Sequence, residues 1–200
     1  RQRQMCIRDS YKNGVTIADA TNPANVVETG NYDTSPLSGS GSGGCWGVYP
    51  YLPSGNIIAS DMQQGLFVLA PTFTRACYLE GNVRDSMTNA PLVGVKVKIM
   101  GASATPDAFS ELSGNYAGGT AISGTYDIAF SKQGYLPKVI SGVSLANAVT
   151  NILNTKLLDS ASVACETPID LSITNITELS AELSWQPVSN AIKYLSLIHI

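Results

Sequence analysis

Residues 77–158 read CYLEGNVRDSMTNAPLVGVKVKIMGASATPDAFSELSGNYAGGTAISGTYDIAFSKQGYLPKVISGVSLANAVTNILNTKLL. Val95, Val97 and Ile99 alternate with lysines, and Tyr126, Ile128 and Phe130 alternate with Asp127 and Ala129. A period of two puts each set on one face, the signature of half-buried strands. Asn89-Ala90-Pro91 and Gly134-Tyr135-Leu136-Pro137 break these runs as turns. Helical spacing competes only weakly, around Leu145 to Leu153. The stretch predicts a small antiparallel β-sandwich.

Several motifs in it have a family likeness. They are Gly81-Asn82-Val83, Asp85, Ala90-Pro91-Leu92-Val93-Gly94-Val95 with Val97, Gly114-Asn115-Tyr116, Gly124-Thr125-Tyr126 and Ser131 to Tyr135. On these residues the stretch resembles a carboxypeptidase regulatory-like domain, a transthyretin-like sandwich module of secreted bacterial proteins. The resemblance implies an accessory module, because this domain accompanies carboxypeptidases without being their catalytic part.

Composition sets outer bounds. Two hundred residues suit one or two domains, and a hydrophobic content of 44% is enough for a core. Charged residues make up only 14%, with Gly, Ser, Thr and Asn in their place, which fits extracellular β modules better than a cytosolic enzyme. A net charge of −3 gives no basic footprint for nucleic acid. No apolar run approaches the length of a membrane span.

Both ends stand apart from their neighbours. RQRQMCIRDS over 1–10 and LSLIHI over 195–200 resemble translated sequencing-adapter read-through, as at the edges of metagenomic assemblies. They are expected to be artefact, which would leave an internal fragment over 11–194 and remove His199 and Cys6.

Residues 11–73 alternate and turn repeatedly. Strands are expected at Gly14–Asp19, Val26–Asp33, Cys45–Tyr49, Asn56–Ser60 and Gly65–Leu69, with a Ser/Gly loop over Leu37–Gly44. Gly14-Val-Thr-Ile-Ala is echoed by Gly65-Leu-Phe-Val-Leu, a separation of propeller-blade length. Asp19 to Pro23, Tyr32 to Thr34, Gly44 to Pro50, Leu52 to Ile57, Ala59 to Asp61 and Gly65 to Leu69 resemble the end of the β-propeller in choice-of-anchor B family proteins. That likeness implies incomplete C-terminal blades.

Residues 159–166 read as a linker. Residues 167–194 resemble the start of a fibronectin type III domain, on Thr167-Pro168, Leu171, Ile173, Ile176, Ala181, Leu183, Trp185 and Tyr194. Such sandwiches need about 100 residues, so a truncated immunoglobulin-like sandwich is implied. The whole is expected to be all-β: partial propeller blades, a transthyretin-like sandwich, then this stub.

The chain offers little catalytic chemistry. Zinc hydrolases need closely spaced His or Cys ligands, and serine or cysteine hydrolases use a His base. The sole histidine, His199, lies in the set-aside end. Gly39 to Gly44 lacks the Gly-Lys-Ser/Thr of a phosphate loop. Asp19, Asp33 and Asp61 sit at expected strand ends and read first as turn caps, since no calcium-loop spacing occurs. Asp107 and Glu111 have no evident partner. Trp46, Tyr49 and Tyr51 could stack on sugar rings, but packing between blades is the preferred reading. Trp185 reads as core.

Cys77 opens the sandwich and Cys165 follows it. A disulfide between them would clamp the module and be worth about 4–5 kcal/mol by loop entropy. Free thiols, or pairing with Cys45, are the alternatives. Asp85-Ser86-Met87 and Asp159-Ser160-Ala161 resemble acceptor sites of bacterial O-glycosylation.

These readings converge on a non-catalytic stalk or spacer in a larger secreted or cell-surface bacterial protein. Its expected partners are a protein or glycan ligand and the rest of the parent chain, with no cofactor, metal or nucleic acid. The alternative is an accessory region of a secreted hydrolase.

Overall fold

The computed structural model describes residues 5–9, 12–35, 43–102, 106–162 and 168–188. The chain divides into two compact units, Arg1–Asp159 and Ser160–Ile200.

The first unit opens with two three-stranded antiparallel meanders. One holds β1 (Met5–Asp9), β2 (Val15–Asp19) and β3 (Val27–Tyr32). The other holds β4 (Cys45–Tyr49), β5 (Ile57–Asp61) and β6 (Gly65–Leu69). The expected strands are all present. Met5–Asp9, set aside in the sequence reading, forms an edge strand paired with β2. The meanders pack on one another through Val15, Cys45 and Ala59, with Ile7, Val48, Phe67 and Leu69 around them. One sequence expectation is corrected. The Gly14 and Gly65 echoes do not occupy equivalent strands, because β2 is central and β6 is an end strand. The equivalent strands are β2 and β5, both central and both ending in a buried aspartate.

The sandwich follows. It comprises β7 (Cys77–Asp85), β8 (Lys96–Met100), β9 (Ala108–Phe109), β10 (Asn115–Thr120), β11 (Gly124–Ser131), β12 (Lys138–Leu145), β13 (Thr150–Ile152) and β14 (Thr155–Leu157). One sheet runs β12-β11-β8-β9; the other runs β10-β7-β13, with β14 also on β7. Val95, Val97, Ile99, Ile128 and Phe130 are buried as the alternation predicts, while Lys98 and Asp127 stay outside. Tyr116 and Phe130 meet edge to face across the two sheets, with ring centroids 5.8 Å apart. Burying a ring the size of Phe130 contributes about 2–3 kcal/mol.

Two expectations about this sandwich are corrected. It is not wholly antiparallel, because β13 and β14 run parallel to β7. The weakly helical run around Leu145–Leu153 is the end of β12, a turn and β13. Backbone pairing with β7 overrides a faint local period there. Gly81 lets this returning segment approach: a Cβ at that position would collide with Leu153 O, the atom that accepts the Tyr116 hydroxyl at 2.7 Å.

The second unit has a 3₁₀ turn at Ser160–Ser162 and a hairpin of β15 (Ser172–Thr174) and β16 (Glu182–Ser184). Trp185 is 37% exposed, which corrects its reading as core. Among the described residues this unit has a single two-stranded sheet. Among the described residues no helix is long and apolar enough to cross a membrane.

Candidate functional site

Strand-end aspartates organise the first unit. Asp19 Oδ1 accepts the backbone N–H of Thr21 at 3.0 Å and its hydroxyl at 2.6 Å. Asp61 Oδ1 accepts the N–H groups of Gln63 and Gln64, and Asp85 Oδ1 accepts those of Met87 and Thr88. Each carboxylate therefore caps the turn that follows its strand. The second oxygen reaches further. Asp61 Oδ2 accepts the Thr34 hydroxyl at 2.9 Å, Asp85 Oδ2 the Tyr135 hydroxyl at 3.0 Å, and Asp19 Oδ2 both Arg75 Nε at 2.8 Å and Ala76 N at 2.9 Å.

The two meanders are thus latched reciprocally. The central-strand aspartate of each one holds the segment that leaves the other. Burial by itself would raise the Asp19 pKa, but the bonds from Thr21, Ala76 and Arg75 outweigh it and hold the carboxyl well below its usual range. Burial likewise opposes ionisation of Asp61, and the N–H groups of Gln64 and Gln63 with the Thr34 hydroxyl overcome it. This confirms the turn-cap reading of Asp19 and Asp61. Asp33 does the same locally, accepting the Ser35 N–H at 2.9 Å.

Asp19 also lies at the joint between the first meander and the sandwich. Asn22 and Asn25 both donate to Glu80 Oε1 at 3.0 Å, and Asn25 donates to Gly118 O at 3.0 Å. Val27, Ala76 and Tyr78 form a small buried cluster beneath these bonds. The Tyr78 hydroxyl sits beside the Asp19–Arg75 pair without hydrogen-bonding geometry to either, and burial raises its pKa. Gly119 makes the approach possible: a Cβ there would collide with Cys77 O and stand 2.9 Å from Val27 Cγ2.

The outward face of the second meander is apolar and open. Trp46, Tyr49 and Tyr51 are 63%, 53% and 68% exposed. That corrects the expectation that these rings are packed. A bulge sets Trp46 and Gly47 against Ser60, which turns Trp46 to the same side as Tyr49. Leu66 and Val68 share this outward face, whereas Phe67 and Leu69 point to the other meander.

Cys77 is fully buried at the start of β7, and burial pushes its thiol pKa up. Its proposed partner Cys165 lies outside the described residues, as do His199 and most of the Gly39–Gly44 run. Asp107 does have a partner, Lys96 Nζ at 2.7 Å. The Ser86 hydroxyl is buried, so the folded protein does not offer it as a glycan acceptor. Among the described residues no three His, Cys, Asp or Glu side chains converge as metal ligands would. The sequence reading missed the Asn22, Asn25 and Glu80 contacts; long-range hydrogen bonds of this kind leave no periodic trace.

No curated protein matches the chain. Among solved structures, a type II cohesin–X-dockerin complex from Acetivibrio cellulolyticus is similar at 23% identity and a TM-score of 0.35, over 40% of this chain and 56% of that one. A minor pilin of Streptococcus agalactiae is similar at 14% identity and a TM-score of 0.35, over 60% of this chain and 66% of that one. The chain thus spans little more than half the length of the cohesin–X-dockerin chain. Residues 78–158, the sandwich from β7 to just past β14, match the family model of the carboxypeptidase regulatory-like domain.

Proposed function

We propose that this chain is a non-catalytic structural and interaction segment of a larger secreted or cell-surface bacterial protein. In this reading the sandwich over 77–158 is a rigid spacer that holds the two meanders at a fixed angle. The observation that carries it is the joint: a fully buried Asp19 tied to Arg75 and Ala76, with Asn22 and Asn25 tied to Glu80. A flexible linker would leave these groups to water; here they bond across the boundary from part-buried positions. The low charge content and the family match of the sandwich support an extracellular setting. The packing of the two meanders on one another through Val15, Cys45 and Ala59 supports the reading of 11–73 as the end of a propeller. The β15–β16 hairpin supports a third module beginning after the linker.

Residual dipolar couplings test the spacer. Amides of the meanders and of the sandwich should fit one alignment tensor. Two independent tensors would show that the joint is a hinge and end the spacer reading.

A further inference from the structure

From Gly44 to Ala70 the chain carries one charged side chain, Asp61, and that one is buried in the latch to Thr34. The outward face of the second meander is therefore free of charge. Its layout follows from the register. Tyr49, Ile58 and Val68 form one row across β4, β5 and β6. Gly47, Ser60 and Leu66 form the next, with Trp46 beside Gly47 at the bulge.

Trp46, Tyr49 and Tyr51 are each more than half exposed on this side. Two of the rings hold one another: the Tyr49 and Tyr51 centroids are 5.7 Å apart and their planes meet at 80°. Tyr51 also stands between Pro50 and Pro53, and Gly55 N closes the following turn on Leu52 O at 2.9 Å. Proline fixes the backbone on both sides of Tyr51, so this aromatic corner has little freedom to lose when something settles on it. Between Trp46 and Tyr49 the surface carries no bulk, since a Cβ at Gly47 would stand 3.6 Å from Ser60 Oγ. The Ser60 hydroxyl donates to Gly47 O at 3.5 Å, a long bond that a better partner can replace.

We propose that this face binds a neutral glycan, an extended chain of β-1,4-linked pyranoses. The electron-rich face of an aromatic ring attracts the polarised C–H groups on the flat side of a pyranose, and Trp46, Tyr49 and Tyr51 supply those faces. The sugar hydroxyls take Ser60 Oγ and Gly47 O in the gap between the rings. A surface without a cation offers nothing to a phosphate or a uronate, so nucleic acid and acidic polysaccharide are not selected. The proposal rests on the interaction part of the reading above and names its ligand class. It stands apart from the spacer part: dipolar couplings test the joint, sugar titration tests this face, and either can fail alone.

The test uses the full 200-residue protein at low concentration. NMR follows the indole N–H signals of Trp46 and Trp185, told apart by the signal lost in Trp46→Ser. Cellohexaose and β-1,4-mannohexaose are titrated in, with glycerol as a polyol that has no ring face. At least one hexasaccharide should move the Trp46 signal saturably and leave Trp185 in place, and glycerol should move neither. Tyr51→Ala should weaken that Kd by about tenfold, whereas Leu66→Ser, on the same face without a ring, should stay within about threefold. Both side chains are exposed, so both variants should fold as the parent does. Absence of a Trp46 shift with both hexasaccharides, or an equal shift with glycerol, overturns the proposal. So does a Leu66→Ser loss as large as that of Tyr51→Ala, because the face is then a general apolar contact and not a ring-stacking site.

Discussion

Asp19 and Arg75 meet at 2.8 Å although 56 positions separate them in the chain. The carboxylate is fully buried, whereas the guanidinium side chain is 37% exposed, so the pair sits where the first meander closes over the start of the sandwich. Asp19 is therefore the group whose removal should loosen both the reciprocal latch of the meanders and the joint at once.

Replacing Asp19 with Asn should cost about 2 kcal/mol at neutral pH, since buried partners lose a charge-assisted bond. The pH dependence follows from the depressed native pKa of Asp19. A carboxylate favoured in its charged form contributes fully above its unfolded pKa of about 3.9, and that contribution fades as pH falls from there through the lower native value. Thermal melts of both proteins should therefore differ most near neutrality and converge in acid. A gap that stays constant down to about pH 2 would contradict the assignment.

Gly119→Ala should destabilise the first unit by about 1–3 kcal/mol, because the added methyl has nowhere to go. It meets Cys77 O on its own sheet and Val27 Cγ2 on the neighbouring one. Gly134→Ala is the control: it meets nothing, and any cost there comes from its φ of +83°. Denaturant titration should rank Gly119→Ala as the more damaging of the two.

Much of the sandwich was legible because β8 and β11 alternate with one face wet and one face dry. The return through β13 and β14 was not, since its segments are three residues each and are set by pairing with β7. The aspartates were readable as caps from their place at strand ends, but their second oxygens were not. Thr34, Tyr135 and Arg75 reach them from far along the chain, and no local pattern announces such a contact. Trp46, Tyr49 and Tyr51 were misread in burial rather than in facing: the bulge keeps Trp46 on the side of Tyr49, and that side is exposed.

Ala148→Gly should stabilise the protein by about 0.5–1 kcal/mol. Ala148 holds a φ of +63°, where a Cβ is unfavourable, and its N–H donates to Ala76 O at 2.8 Å, which fixes the backbone there. Glycine removes the steric cost, partly offset by greater freedom in the unfolded chain. Chemical denaturation measures it; a lower midpoint for the variant would show that the local strain is negligible.

The two faces of the second meander should respond oppositely to polar substitution. Trp46 and Leu66 are 63% and 66% exposed, so Trp46→Ser and Leu66→Ser should change stability by no more than about 0.5 kcal/mol. Phe67 faces the first meander, with its ring 5.9 Å from that of Tyr32, and Phe67→Ser should cost about 2 kcal/mol or more. The outward pair should instead change behaviour at high concentration, because an exposed apolar sheet face promotes association. Sedimentation velocity should show less self-association for Trp46→Ser and Leu66→Ser than for the parent chain. Loss of stability in those two variants, with Phe67→Ser unaffected, would mean that the meander presents its other face to the core.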